Sequence, residues 1–261
     1  MTIIWILIGV LILYVFGKWV MLLILSPVIV LHLKRERKKS RQTYERDLKI
    51  INTTLSEAEA DQLSADQNKR NSVIKKSLGG IISFITSFER YILIQIGFIP
   101  SHTIRNFFYK NIFLVRMEKG AVIHYGAEIR GSYNLILKSG AIIGDRCVLD
   151  ARRGYIIIGR NVQLGNFVNL WTGSHDYNDP YFRSKAGKRG PIEIQDYCWL
   201  GPRSTVLYGV NIGEGAVIGA GSIVTKDVPS FSVMTGVPAH KVGNRNKDLR
   251  YNLGDSHIHF Y

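Results

Sequence analysis

The chain counts in sixes. Aliphatic residues recur every six positions at Ile158, Leu164 and Leu170, and again at Ile194, Leu200, Val206, Ile212, Ile218 and Val224, with glycine following many of them. This beat fits neither the 3.6-residue period of a helix nor the two-residue alternation of a half-buried strand. Repeats of this length point to a parallel β-helix, in which each hexapeptide supplies one short strand and one corner. The aliphatic residue points inward, the small residue after it lets the backbone turn, and three units close a triangular coil. Less regular units at Ile123, Ile129, Leu137, Ile143 and Leu149 raise the expectation to about five coils, stacked ~4.8 Å apart. The fold class expected is mainly β, a parallel β-helix preceded by membrane-spanning and amphipathic helices.

The count stops at NLWTGSHDYNDPYFRSKAGKRGP, residues 169–191. Twenty-four residues separate Leu170 from Ile194, which reads as one coil with a six-residue surplus leaving the prism as a loop. Gly, Asp, Pro, Lys and Arg make that loop solvated, and such loops on rigid scaffolds carry function. His175 sits at its base.

The N-terminus is of another kind. From Ile3 to Leu33 the run IIWILIGVLILYVFGKWVMLLILSPVIVLHL holds one charged residue, Lys18. About 20 apolar residues span a bilayer, so residues 1–33 read as a transmembrane anchor, either a single helix, tilted or kinked at Pro27, or a re-entrant pair. The run is too long for a signal-peptide core and lacks a basic stretch before it. KRERKKSR, Lys34 to Arg41, follows directly and by the positive-inside tendency lies on the cytoplasmic face. This run, with six basic residues and one acidic, contributes +5 of the net charge of +14 and is explained by topology without calling for nucleic acid. Residues 34–77 read as a basic, polar and partly helical spacer. Residues 78–119 form an amphipathic lead-in with Glu89 and Arg90 mid-segment, lying at the membrane surface or packed on the body. Residues 120–243 are the β-helix, and 244–261 a tail.

Cys147 and Cys198 fall where a small buried residue fits a hexapeptide, and neither has the spacing of a zinc site. No metal is expected. A carbonic anhydrase on the same prism would need three converging histidines, and His124 and His175 lack that spacing. His257 and His259 in HIHFY read as a docking tail.

With these residues in view, the stretch from about Gly120 to Val242 resembles the hexapeptide-repeat acyltransferases, whose prism is a left-handed parallel β-helix. IGAGSIVTKDVP followed by GVPAHKV is similar to the closing coil of the acetyl-CoA branch, which includes maltose, galactoside and antibiotic acetyltransferases. GSHDYNDP resembles the branch of colanic-acid-type enzymes that acetylate exopolysaccharide sugars. The resemblance implies that His175 is the general base, that acetyl-CoA is the acyl donor, and that the protein is a homotrimer with sites between neighbouring prisms. An imidazole near its usual pKa of about 6.5 accepts a proton at low cost. Asp176 is the adjacent candidate for orienting that ring, although neighbouring side chains diverge in extended chain. Asp150, Asp179 or a backbone carbonyl are the alternatives. By motif position Trp199, Ala220, Thr225 and Lys226 match family residues that contact the cofactor, while Pro202 replaces a small polar residue often found there.

The expected function is an acetyl-CoA-dependent O-acetyltransferase anchored in the cytoplasmic membrane with its catalytic domain in the cytoplasm. Its acceptor would be a sugar hydroxyl of a surface polysaccharide or of a lipid-linked glycan precursor. The alternatives are N-acetylation of an amino sugar nucleotide and a non-catalytic trimeric scaffold.

Overall fold

A computed structural model describes residues 2–52, 72–184 and 187–255. Its body is a parallel β-helix of five coils, each contributing one strand to each of three sheets. The first face holds Arg116–Met117, Leu135–Leu137, Ile156–Ile158, Ile192–Ile194 and Asn211–Ile212. The second holds Val122–Ile123, Ile142–Ile143, Gln163–Leu164, Trp199–Leu200 and Val217–Ile218. The third holds Glu128–Arg130, Val148–Asp150, Asn169–Trp171, Thr205–Val206 and Ile223–Val224. The parallel β-helix expected from the repeat, with the left hand that the resemblance implies, is borne out.

The inward residues stack on one another. Ile129 pairs with Leu149, Leu149 with Leu170, and Leu170 with Val206, and the whole repeated aliphatic set is buried. Corners demand small residues because successive coils nearly touch there. A Cβ on Gly165 would lie 2.7 Å from the Pro202 nitrogen, and one on Gly201 2.6 Å from the Ala220 nitrogen. That close approach is the physical reason glycine trails the aliphatic residue.

The register corrects the reading of residues 171–191. Ile194 pairs with Ile212, eighteen residues on, but also with Ile158, at twice that interval. No extra coil is hidden between Leu170 and Ile194. The chain leaves the corner between the third and first faces, makes a long excursion and returns to the same corner. Nothing in that segment alternates inward aliphatics, so it has no strand to offer the sheets.

Both ends of the prism are closed. The helix α3, His102–Asn111, covers the first coil, and its buried Arg105 donates to the carbonyl oxygens of Ile123 and Ile99. The Ile123 oxygen would otherwise be unpaired at a sheet edge. At the far end, Ser232–Gly236 and Ala239–Asn244 pair antiparallel and finish the second face. The segment after it returns along the corner between the first and second faces, where Arg245 and Tyr251 donate to the Tyr197 carbonyl and Leu253 donates to Asn161. His257 and His259 lie outside the described residues.

Helix α1 spans Thr2–Asn52 with Pro27 inside it, so it does not stop at Leu33 but carries on through the basic run. Its stretch Phe16–Leu48 is long and apolar enough to cross a membrane by length and composition, and only 17% of its most apolar window is buried. Leu22, Ile29 and Leu33 are buried, while Val20, Leu23, Ile24 and Leu31 face outward. Part of the basic run serves packing rather than topology. Arg37 donates to the carbonyl oxygens of Tyr133 and Leu114, and Ser40 accepts from Asn134. Further along, Tyr44 packs edge-on against Tyr155, and Asp47 accepts from both Nε and Nη2 of Arg189 at 2.5 and 2.8 Å. Most of the rest of the polar spacer, residues 53–71, lies outside the described residues.

Helix α2, Ser72–Gly97, packs on α1 and on the first coil through Phe88, Ile92, Leu93 and Ile96. Of its two expected placements, packing on the body is observed. Glu89 is buried with it, and burial, helped by the neighbouring Glu36, raises its pKa to about 7. Below about pH 4.5 both folded and unfolded chains hold that proton, so the fold bears no penalty. Between there and about 7 the unfolded chain ionises first and stability falls. Glu89→Gln is therefore expected to stabilise the detergent-solubilised protein by about 3 kcal/mol above neutrality. Thermal unfolding of both proteins against pH checks this, and the curves should converge at the acid end.

Candidate active site

The excursion from the corner between the third and first faces, the third corner, is a folded hairpin-like loop. Gly190 and Ser174 donate across its stem to Thr172 and Lys188, and Asp176 donates to Arg183 nearer the tip. The tip closes on Asp179, a carboxylate that is itself buried, accepts from the Tyr181 amide at 2.7 Å and pairs with Arg183 at 3.0 Å. Arg189 in the returning strand of the stem is the residue clamped by Asp47 of α1.

This loop fixes His175. Its Nδ1 lies 2.6 Å from the carbonyl oxygen of Phe182, and its ring stacks on the Phe182 ring at 4.5 Å with 4° between planes. A carbonyl can only accept, so Nδ1 carries the hydrogen and a neutral ring presents its lone pair at Nε2. Nε2 is the nitrogen a general base needs free. Phe182 has φ of 50°, an uncommon region for a bulky residue, at the point where the chain turns back to offer that carbonyl.

Two partners of His175 carried no signal in the sequence. One is the Phe182 carbonyl, since a backbone acceptor leaves no mark on residue type. The other is Arg153, whose Nη1 donates to the Ser174 carbonyl at 3.2 Å and whose Nη2 lies 3.5 Å from Nε2. Arg153 belongs to the previous coil, and only the stacking of coils brings it there. At 3.5 Å the contact with Nε2 is weak.

Asp176 is placed otherwise than expected for an orienting group. Its Oδ1 accepts from the Asn178 amide at 3.1 Å, holding the loop's turn, while the carbonyl of Phe182 meets the imidazole. Asp150 is bound to Arg152.

The four residues matched to cofactor contacts do not gather at one point. Thr225 and Lys226 are exposed at the third corner, the one from which the His175 loop leaves, two coils further on. Ala220 is exposed at the corner between the second and third faces, and Trp199, 44% exposed, begins a strand of the second face. Cys147 and Cys198 are fully buried, and burial pushes both thiols up to about 12. Iodoacetamide at mildly alkaline pH is expected to leave both unmodified in the folded protein and to alkylate both after denaturation, as peptide mass spectrometry would show. Among the described residues no group of three or more His, Cys, Asp or Glu could hold a metal ion.

Residues 191–226 match the family model described as bacterial transferase hexapeptide (six repeats). The chain is 36% identical over 114 residues to the serine acetyltransferase of Bacillus subtilis, covering 44% of this chain and 50% of that protein. It is 33% identical over 119 residues to the galactoside O-acetyltransferase of Lactococcus lactis, covering 46% of this chain and 51% of that one. The chain thus spans about half the length of the curated relatives it matches. Among solved structures, a hexapeptide-repeat-containing acetyltransferase from Vibrio cholerae superposes with a TM-score of 0.55 at 21% identity, covering 60% of this chain and 88% of that one. That is a likeness of fold.

Proposed function

We propose that the chain is a membrane-anchored, acetyl-CoA-dependent O-acetyltransferase of the colanic-acid type. Its acceptor is a sugar hydroxyl of a surface polysaccharide or of its lipid-linked precursor. The observation that carries this reading is the exposed His175 imidazole, held through Nδ1 by the Phe182 carbonyl and leaving Nε2 with only the 3.5 Å contact to Arg153. The O-acetyltransferase named among the relatives favours oxygen over nitrogen as the acceptor atom.

In the reaction, Nε2 takes the proton of the sugar hydroxyl as its oxygen attacks the thioester carbonyl. The tetrahedral intermediate collapses, the C–S bond breaks, and the imidazolium returns its proton to the departing thiolate. Base catalysis of this kind contributes about 10² to 10⁴ in rate, and positioning with a backbone N–H for the oxyanion supplies the remainder. Asp176 acts by holding the loop. Trp199, Ala220, Thr225 and Lys226 line the path of the donor, contributed from more than one protomer because they do not converge in a single chain.

A homotrimer accounts for the loop's surface. Tyr177 and Tyr181 are each 77% exposed and Phe182 60%, an aromatic cluster that suits burial against a neighbouring prism. The apolar part of α1 supplies the anchor, with Lys34, Arg35 and Lys38 on the cytoplasmic side. Mass spectrometry of surface glycans from cells with and without the gene tests the reading. A mass difference of one acetyl group on a sugar oxygen is expected. A difference on an amino sugar nitrogen would move the assignment to N-acetylation, and no difference in any glycan would favour the scaffold.

A further inference from the structure

A cavity of about 360 Å³ lies where α1 and α2 meet the first two coils. It opens at the third corner, the corner that two coils on from its first lining residues gives rise to the His175 loop. Ile129, Arg130 and Gly131 line it from the first coil and Arg152 from the second. The next residue, Arg153, is the one that reaches His175. Arg130, whose guanidinium lies 5.4 Å from the Trp171 ring centre, links the same two levels. Arg130 and Asp150, then Asp150 and Trp171, are register partners on the third face, so the cavity and the catalytic loop are about two coil steps apart, or ~10 Å.

The lining is mixed in a particular way. Glu36, Glu89, Thr86 and Tyr133 bring acceptor oxygens, and Arg90, Arg130 and Arg152 bring guanidinium groups, among apolar side chains of α2 and the first coil. Arg152 forks onto Asp150 and Arg130 donates to Glu128, so Arg90 and the N–H groups those pairs leave over are the donors a ligand would meet. A free anion would also meet two carboxyl groups there, whereas a ligand with many hydroxyls can donate to the oxygens and accept from the remaining guanidinium N–H groups at once. The cavity also lies at the end of the apolar run proposed as the anchor. His32 is in the last turn of that run and Glu36 just beyond it, and Ile81, Ile82 and Phe84 of α2 are exposed beside it. A ligand entering it can keep an alkyl chain against those helices.

From this juxtaposition we infer that the cavity is a saccharide subsite for a lipid-borne acceptor, holding its membrane-proximal sugar while the sugar to be modified reaches His175. This rests on the proposed acetyl transfer but concerns binding, which does not need the reaction. It ties membrane residence to catalysis, because the lipid chain and the reacting hydroxyl are held by one edge of one prism. With its pKa raised to about 7 by burial, the Glu89 carboxyl is partly protonated near neutrality and can donate to a hydroxyl as well as accept from one.

The test uses the full chain in nanodiscs and photoreactive dodecyl glycosides bearing glucose, galactose, maltose or N-acetylglucosamine heads. Labelled residues are mapped by mass spectrometry, and unlabelled glycoside or dodecylphosphocholine serves as competitor. Labelling is expected within residues 82–93 and 129–133, displaced by the matching glycoside and not by dodecylphosphocholine. Thr86→Trp, which fills the cavity from an exposed helix position, and Arg90→Ala, which removes a donor, are each expected to reduce it at least tenfold. His175→Ala should leave it intact. Labelling equally displaced by the sugar-free lipid, or unchanged in both cavity variants, would overturn the subsite while leaving the role of His175 standing. Retained acetyl transfer in His175→Ala would overturn the catalytic reading alone.

Discussion

Replacing His175 with alanine is expected to lower kcat for acetyl transfer by about 10² to 10⁴-fold, with no loss of folding. The side chain is exposed and touches the Phe182 carbonyl and ring and the edge of Arg153, so its removal opens no core cavity. Thermal unfolding should therefore match the wild type while steady-state transfer from acetyl-CoA collapses. The residual rate would report what donor and acceptor positioning achieve without a base. A variant with wild-type kcat would remove the imidazole from the mechanism.

The second large effect is expected at Asp47, far from that chemistry in sequence. Its carboxylate is 8% exposed and forks onto an Arg189 that is 18% exposed, tying the C-terminal part of α1 to the stem of the His175 loop. Truncating one member of such a pair leaves the other charge buried without its counter-ion. Asp47→Ala is accordingly expected to cost about 3 kcal/mol in stability and to raise KM for the acceptor as the stem loosens. Thermal unfolding together with steady-state kinetics checks both effects. The exchange of partners, Asp47→Arg with Arg189→Asp, should recover most of the loss, which separates a specific pair from a general intolerance of substitution.

The prism was legible because its constraint is repeated. Every inward position from Ile123 to Val224 that the six-residue beat marks is buried, and each is fixed by the identical physics of a stacked aliphatic ladder. The interruption was visible but mismeasured, since a coil that is absent and a coil that is irregular look alike when only spacing is counted. It took the pairing of Ile158 with Ile194 to show that the whole segment leaves the prism. Helix α1 outran its expected end because Lys, Arg and Glu, which dominate the run after Leu33, are good helix formers, and because Arg37 and Asp47 find partners on the prism that no local pattern announces. The His175 loop shows the same limit. A histidine beside Gly and Asp can be read from residue types, but its tautomer is set by the Phe182 carbonyl and its neighbour Arg153 comes from another coil.

The most direct measurement supplies purified full-length protein in nanodiscs with acetyl-CoA labelled in the acetyl group and with lipid-linked glycans extracted from its own membranes. Mass spectrometry then locates the label. The expected result is label on a glycan hydroxyl in stoichiometric exchange for free CoA, with none on the protein and none transferred by His175→Ala. Label retained on CoA in the presence of these glycans, or found as a covalent acetyl-enzyme, would contradict the account.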